Sequence, residues 1–405
     1  MPFRKVIFWI HLIAGVLVGV PVVIMSATGI AIAFEAEILD YIDRDQLAVQ
    51  VPSGGSRKPL AELTAGALRQ HPEFTPTLFV VPRDARSAYV FRAGREGLLY
   101  VDPYTGVASV PQSTGAHDVL HELESWHRTL GLEGERQAAG KLLNGVANLA
   151  LLLLCVTGLY LWFPRKWTKT ALRPVLVFVR TKGSKARDFN WHHVFGFWGL
   201  PVLSVVVASA VVFSFEWAHR LVFTLAGEEA PAARGPGMLS VPTVGVPVPS
   251  EGMTLLTHDQ VLARVAPLFP DHEAILFEAH APAPESVDGT ATHAAVAPMP
   301  VVVMIPDIFS THGRVPLQVD PYRGTVLSTT RFADYSPGIQ ARVWLRFLHT
   351  GDVFGMVGKS IATLATFGSL VLVYTGIALT FRRFVAWRRR TKLRLVKSTL
   401  TRDGT

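Results

Sequence analysis

Four histidines stand at matched places in this 405-residue chain. His11 is followed by Gly15 and, 24 residues on, by Glu35; His192 is followed by Gly196 and, 24 residues on, by Glu216. His127 and His349 each precede another kind of apolar stretch. One is marked by Gly140-Lys141 and, 16 residues on, Thr157-Gly158; the other by Gly358-Lys359 and, 16 residues on, Thr375-Gly376. Neutral imidazole is the commonest metal ligand among side chains. Histidines paired by an internal duplication across four apolar helices suggest haem. Two imidazoles on one iron leave it no open position, which suits outer-sphere electron transfer better than oxygen chemistry. Cys155 is the lone cysteine and no Cys-x-x-Cys-His run occurs, so any haem is held non-covalently.

The expected axial pairs are His11 with His192 and His127 with His349. His193 competes with His192. Neighbouring helical residues point about 100° apart, so one of the two faces the bundle axis, and the match to His11 favours His192. His219, one turn past Glu216, competes with His127 and His349; it has no counterpart at Leu39 or nearby. His117-x3-His121 has the i,i+4 spacing of a helical metal chelate, but the many carboxylates around it equally suit a solvated face. Arg128, Lys141, Arg346 and Lys359, with Arg342, are the candidate partners of haem propionates, and the two lysines can equally snorkel to the interface. Gly15, Gly19 and Gly196 are expected to let a flat porphyrin or a neighbouring helix approach.

The elements that would position these residues are membrane helices. Hydrocarbon takes roughly 20 helical residues to cross, and four stretches suffice: about Val6–Phe34, Leu142–Phe163, Val194–Phe215 and Ile361–Phe381. The first is about twice the length of a signal-peptide core of roughly 7–15 residues, so it is expected to be retained. Basic residues near helix ends mark the cytoplasmic side. Pro164–Arg187 holds eight Lys/Arg and no acid, and Arg382–Thr405 holds nine Lys/Arg and one acid. Glu35–Ala139 holds ten basic and fifteen acidic residues, and Glu216–Gly355 eight and fourteen. Both termini and the middle loop are therefore expected in the cytoplasm and both long segments outside. The formal net charge of +8 is a topology signal facing anionic lipid, not a nucleic-acid footprint.

The expected division is helix 1–34, outer domain 35–139, helix 140–163, basic loop 164–191, helix 192–215, outer domain 216–355, helix 356–381 and basic tail 382–405. Each outer domain reads as a small α+β unit, one helix on an antiparallel sheet. The first has a helix at Pro59–Gln70 and strands at Thr77–Val81, Ala88–Arg92, Leu98–Val101 and Val107–Val110. The second has a helix at His258–Ala266 and strands at Ala274–Ala279, Val301–Ile305, Leu317–Val319 and Val326–Ser328. Val101-Asp-Pro-Tyr-Thr-Gly106 and Val319-Asp-Pro-Tyr-Arg-Gly324 read as tight turns, since Pro presets φ and Gly permits positive φ. Gly227–Pro249 and Ala281–Pro300 read as loops rich in Ala, Pro and Gly, with His280 and His293 solvated in or beside the second.

Trp126-His127-Arg128-Thr129-Leu130-Gly131, Thr157-Gly158-Leu159-Tyr160-Leu161-Trp162-Phe163-Pro164, Asn190-Trp191-His192-His193-Val194-Phe195-Gly196 and Leu348-His349-Thr350-Gly351-Asp352 resemble the PepSY-associated transmembrane family of inner-membrane proteins. The two Val-Asp-Pro-Tyr-x-Gly turns resemble PepSY signatures, and the likeness spans nearly the whole chain. His193 departs from the family, which more often has Arg there. The resemblance implies an α-helical membrane protein: a four-helix bundle carrying two PepSY-like periplasmic domains. It is most similar to ferric-siderophore reductases, which implies two b-type haems, electrons entering at a cytoplasmic haem, and a ferric siderophore reduced at the periplasmic one. No nicotinamide or flavin signature occurs, so the donor is a separate molecule. Two other classes compete: a non-catalytic PepSY module that regulates a peptidase, and a component of a siderophore transporter. A tether needs one helix and no histidines at matched depths. A transporter calls for polar groups at mid-membrane, where these helices have few.

Overall fold

The computed structural model describes residues 2–94, 97–164, 167–232, 244–250, 252–279, 297–307, 309 and 313–402. Most of the two Ala/Pro/Gly-rich loops, with His280 and His293, lies outside the described residues. The chain divides into two compact units: residues 1–34, 120–222 and 345–405 form one, and residues 35–119 and 223–344 the other.

The first unit is built on four long helices: α1 (Pro2–Ile32), α5 (Gln137–Trp162), α7 (Ser184–Ser214) and α11 (Gly355–Arg402). Each is long and apolar enough to cross a membrane. Leu17, Val20, Val156 and Leu364 lie 63–74% exposed along them. A helix that is apolar all round, with its large side chains facing outward, is suited to lipid. α1 packs against α5 and α11, and α7 packs against the same two, so α1 and α7 stand on one diagonal of the bundle. Two shorter helices lead into the bundle from its other segments: α4 (Thr114–Thr129) precedes α5, and α10 (Pro337–Thr350) precedes α11. The turns after them are tight. A Cβ on Gly140 would run into the carbonyl of Thr129, and one on Gly358 into the carbonyl of Gly351.

The second unit holds eight strands in one antiparallel sheet. They are β1 (Leu78–Pro82), β2 (Tyr89–Ala93), β3 (Gly97–Val101), β4 (Ala108–Ser109), β5 (Ala274–Glu278), β6 (Met299–Met304), β7 (Arg314–Val319) and β8 (Val326–Thr329). Their order is β4-β3-β2-β1-β5-β6-β7-β8, so each half contributes a four-strand meander and the two meet edge to edge. The strands form where alternation placed them, but the expectation of two separate α+β units needs correction. β1 and β5 pair in register, Phe79 opposite Phe277 and Val80 opposite Leu276. An unpaired strand edge is an exposed row of backbone donors and acceptors, and pairing β1 with β5 removes one such edge from each half.

One core serves both halves. Phe91, Ile275, Val303 and Val319 are fully buried on the same sheet face. Helices α3 (Leu60–Gln70) and α9 (His258–Val265) cover it through Leu60, Leu63, Val261 and Val265. Asp259 in the first turn of α9 accepts the backbone N–H of Leu60 at 2.9–3.0 Å, which satisfies an orphan donor at the start of α3. The two Val-Asp-Pro-Tyr-x-Gly turns are built alike. Asp102 accepts the amides of Tyr104 and Thr105, and Asp320 those of Tyr322 and Arg323. Gly106 and Gly324 close the turns at φ 79° and 66°.

Candidate functional site

The structure gathers the four histidines into two facing pairs. His11 of α1 meets His192 of α7 across the bundle diagonal, with ring centres 6.4 Å apart. His127 near the end of α4 meets His349 near the end of α10, with ring centres 6.3 Å apart. We call these the first and second sites.

Each ring is oriented through Nδ1. At the first site, His11 Nδ1 lies 2.8 Å from the Thr157 hydroxyl on α5, and His192 Nδ1 lies 2.9 Å from the Thr375 hydroxyl on α11. Both hydroxyls donate their own protons back along the helix, Thr157 to the carbonyl of Leu153 and Thr375 to that of Val371, each at 2.7 Å. Their oxygens are left to accept, so the imidazoles donate from Nδ1. At the second site, His127 Nδ1 lies 3.0 Å from the carbonyl of Met25, and His349 Nδ1 lies 2.9 Å from that of Val206. A carbonyl can only accept, so these rings also donate from Nδ1. The hydroxyls of Thr28 and Ser209 stand beside them at 3.3 and 3.1 Å. All four neutral imidazoles therefore carry the proton on Nδ1, the tautomer whose Nε2 can ligate a metal. Fixing the tautomer by a bond to the other nitrogen is the usual support of a metal-bound histidine.

The spacing is repeated along the helices. Met25 and Thr28 follow His11 by 14 and 17 residues, and Val206 and Ser209 follow His192 by 14 and 17 residues. At 1.5 Å per residue the two sites lie about 21 Å apart along the helix axes. α1 and α7 thus each supply a ligand candidate to the first site and an acceptor to the second.

A metal between two imidazole nitrogens, about 2 Å from each, sets their ring centres roughly 6.3 Å apart. Both pairs meet that spacing. Among the described residues no group of three or more His, Cys, Asp or Glu side chains gathers to hold a metal ion. Two facing imidazoles at this spacing are a donor set that a haem, whose macrocycle brings its own four nitrogens, would accept.

Several sequence expectations can now be placed. His192, not His193, faces His11. His193 donates Nδ1 to the carbonyl of Phe189 at 2.8 Å on its own helix and lies 4.1 Å from the Phe189 ring. The facing pair at the second site is His127 with His349, while His219 is buried on α8 (Glu216–Leu225). Gly15, Gly19 and Gly196 meet neighbouring helices rather than the imidazoles: Leu154 of α5, Val373 and Ile377 of α11, and Leu372 of α11. The glycines that give the rings room are Gly158 and Gly376, 3.3 and 3.5 Å from the Cε1 atoms of His11 and His192 at the Cβ position. At the second site a Cβ on Gly29 would stand 3.0 Å from Cε1 of His127.

Of the propionate candidates, Arg128 pairs with Glu124 at 2.6 Å and Lys359 with Asp352 at 3.5 Å. Lys141 donates to Gln137 at 3.1 Å on the exposed face of α5. Arg346 lies on α10, in the turn before His349. His117 and His121 lie on α4, His117 with Asp118 at 3.9 Å. Cys155 is buried in the bundle and free. A Ser or Thr partner is a natural expectation for a membrane histidine, but the sequence did not single out Thr157, Thr375, Thr28 and Ser209 in that role. Thr157 and Thr375 carried a signal, since each stands before a glycine at the same place in its half.

A match to the family described as PepSY-associated TM region covers residues 8–383, the whole of both histidine sites and the sheet between them in sequence. The chain belongs to the PepSY-associated TM family. With four helices apolar enough to span, it is a membrane protein of that family. No curated protein matches it. The family match takes in every ligand candidate and its acceptor, so within this PepSY-associated protein the histidine pairs lie inside the shared region.

Proposed function

We propose that this chain is an inner-membrane protein that carries electrons from the cytoplasm to the periplasm through two b-type haems and reduces ferric siderophore there. What supports the reading is the set of four Nδ1 donors at 2.8–3.0 Å, which fixes the metal-ligating tautomer in two facing ring pairs. His11 and His192 would hold the haem on the cytoplasmic side, and His127 and His349 the periplasmic one. Haem, when bound, would supply one-electron exchange between Fe(III) and Fe(II). Thr157 and Thr375 keep the first pair in the ligating tautomer, and the carbonyls of Met25 and Val206 do so for the second. The apolar faces of α1, α5, α7 and α11 exclude water between the sites. Basic residues at the periplasmic end (Arg128, Lys141, Arg346, Lys359) would neutralise propionate charge there, Arg128 and Lys359 exchanging Glu124 and Asp352 for it.

The halves arose by duplication, which accounts for the repeated 14- and 17-residue spacings and for a strand order that reads alike from either edge. The two meanders are PepSY-like domains on the periplasmic side, where the ferric siderophore docks. Reduction weakens hydroxamate and catecholate binding and releases Fe(II). Both termini and the basic loop are cytoplasmic, and the electron donor is a separate molecule.

The test is stopped-flow oxidation of the dithionite-reduced protein by a panel of ferric hydroxamates and catecholates. Two electrons leave each chain, and Fe(II) appears in equal amount. Reduced protein that is oxidised no faster with ferric siderophore than with buffer would exclude the reductase and leave a peptidase-regulating tether or a transporter component.

A further inference from the structure

Asp188 is the least exposed carboxylate of the bundle. It lies in the second turn of α7 with 0% exposure. Its Oδ1 accepts two bonds from Arg187, at 2.9 and 3.0 Å, and its Oδ2 accepts one from Arg382 of α11. An ionised carboxylate this buried is tolerated only when paired and hydrogen-bonded, and Asp188 has both.

Its place along the helix is informative. Asp188 precedes His192 by four residues, one helical turn, so the two share a face with Cβ atoms about 6 Å apart. Arg382 follows Thr375 by seven residues, two turns of α11. The two helices are thus joined twice in succession, by His192 with Thr375 and by Asp188 with Arg382. The first half repeats the histidine–threonine bond but not the ion pair. The matching places hold Ile7 and Pro164, and the same end of α1 is instead tied to α5 by Arg4, which donates to the carbonyls of Leu161 and Phe163.

A charge fixed one turn from a ligating histidine would act electrostatically on a haem bound there, the more strongly where burial keeps water away. Fe(III) carries one more positive charge than Fe(II), so a nearby carboxylate favours the oxidised form and a nearby guanidinium the reduced form. Both sites offer the same two-imidazole chemistry. The second has carboxylate–cation pairs of its own, Glu124 with Arg128 and Asp352 with Lys359, but those carboxylates are 27% and 33% exposed, whereas Asp188 beside the first is fully buried. We propose that Asp188 is a positioning residue that also sets a potential: paired with Arg382 and Arg187 one turn from His192, it lowers the midpoint of the haem at the first site and leaves the second unmoved. It holds that haem below the potential that Arg187 and Arg382 alone would impose, and so adds driving force for electrons moving outward. The inference rests on the di-haem reading.

The experiment is a spectroscopic redox titration of the full-length protein as wild type, Asp188→Asn, Asp188→Glu and Arg382→Gln. Asp188→Asn shifts one midpoint positive, by at least a tenfold change in how an electron distributes between the haems, about 59 mV for a one-electron couple. Arg382→Gln shifts the same midpoint negative, Asp188→Glu returns it towards wild type, and the second midpoint stays in place throughout. A purely structural tie would move both variants in one direction or disturb both haems equally, and either result overturns the inference. Should Asp188→Asn fail to accumulate, the sign of the Arg382→Gln shift decides. Wild type with two haems and midpoints unmoved by both variants overturns this inference alone. Wild type without haem overturns the di-haem reading and the inference with it.

Discussion

The two histidine sites have the same ring spacing, 6.4 and 6.3 Å, but are supported differently. At the first, both rings lean on threonine side chains from the neighbouring helices α5 and α11. At the second, both lean on main-chain carbonyls, of Met25 on α1 and Val206 on α7, with the Thr28 and Ser209 hydroxyls alongside. The difference follows from where the ligand candidates sit. His11 and His192 lie well inside long helices, and the neighbouring helices α5 and α11 present a threonine hydroxyl to each ring. His127 and His349 sit near the ends of the short helices α4 and α10, free to lie against carbonyls of a neighbouring helix, which accept a second bond through their other lone pair. Orientation at the first site therefore depends on sequence at two positions, and at the second mainly on the backbone.

That contrast can be broken or sharpened in steps. The largest effect is expected from the ligands: His192→Ala or His11→Ala removes one haem of two and leaves the other, and His349→Ala or His127→Ala does the converse. Pyridine haemochrome content per chain measures it, and retention of both haems would dismiss that ligand. Next comes the double variant Thr157→Val with Thr375→Val, which deletes the acceptors of the first site. Haem affinity there falls about 10–100-fold, read as transfer to an excess of a haem-scavenging apoprotein, while the second site keeps its haem. Smaller is Gly29→Ala, whose Cβ would come within 3.0 Å of His127. Crowding of this kind costs about 1–3 kcal/mol and shows as faster haem loss from the second site alone. The smallest is Thr28→Val with Ser209→Ala: the carbonyls still accept, so haem retention changes only a few-fold. A loss as large as that of the threonine pair at the first site would show that the hydroxyls, not the backbone, orient His127 and His349.

The four histidines were legible because their spacing repeats, and the structure pairs them as that spacing suggests. The strands were legible because alternate residues such as Phe79, Val81 and Ile275 are buried. Three features were not. Thr157 and Thr375 were visible as a repeated Thr-Gly pair, but their bond to His11 and His192 spans 146 and 183 residues and needs the helix neighbours to be known. Asp188 was hidden at the edge of a basic run, because its partner Arg382 is 194 residues away. The β1–β5 seam joins two edges that each look complete in sequence, and no local signal states that Phe79 will face Phe277. In each case local pattern gave the residue, while a contact far along the chain gave the role.

The most direct measurement is the haem content and redox spectrum of the full-length protein purified from haem-replete cells. Two b-type haems per chain are expected, with low-spin bis-histidine spectra in both oxidation states and complete reduction by dithionite. A colourless preparation, or one that keeps both haems when His11 and His349 are together replaced by alanine, would contradict it.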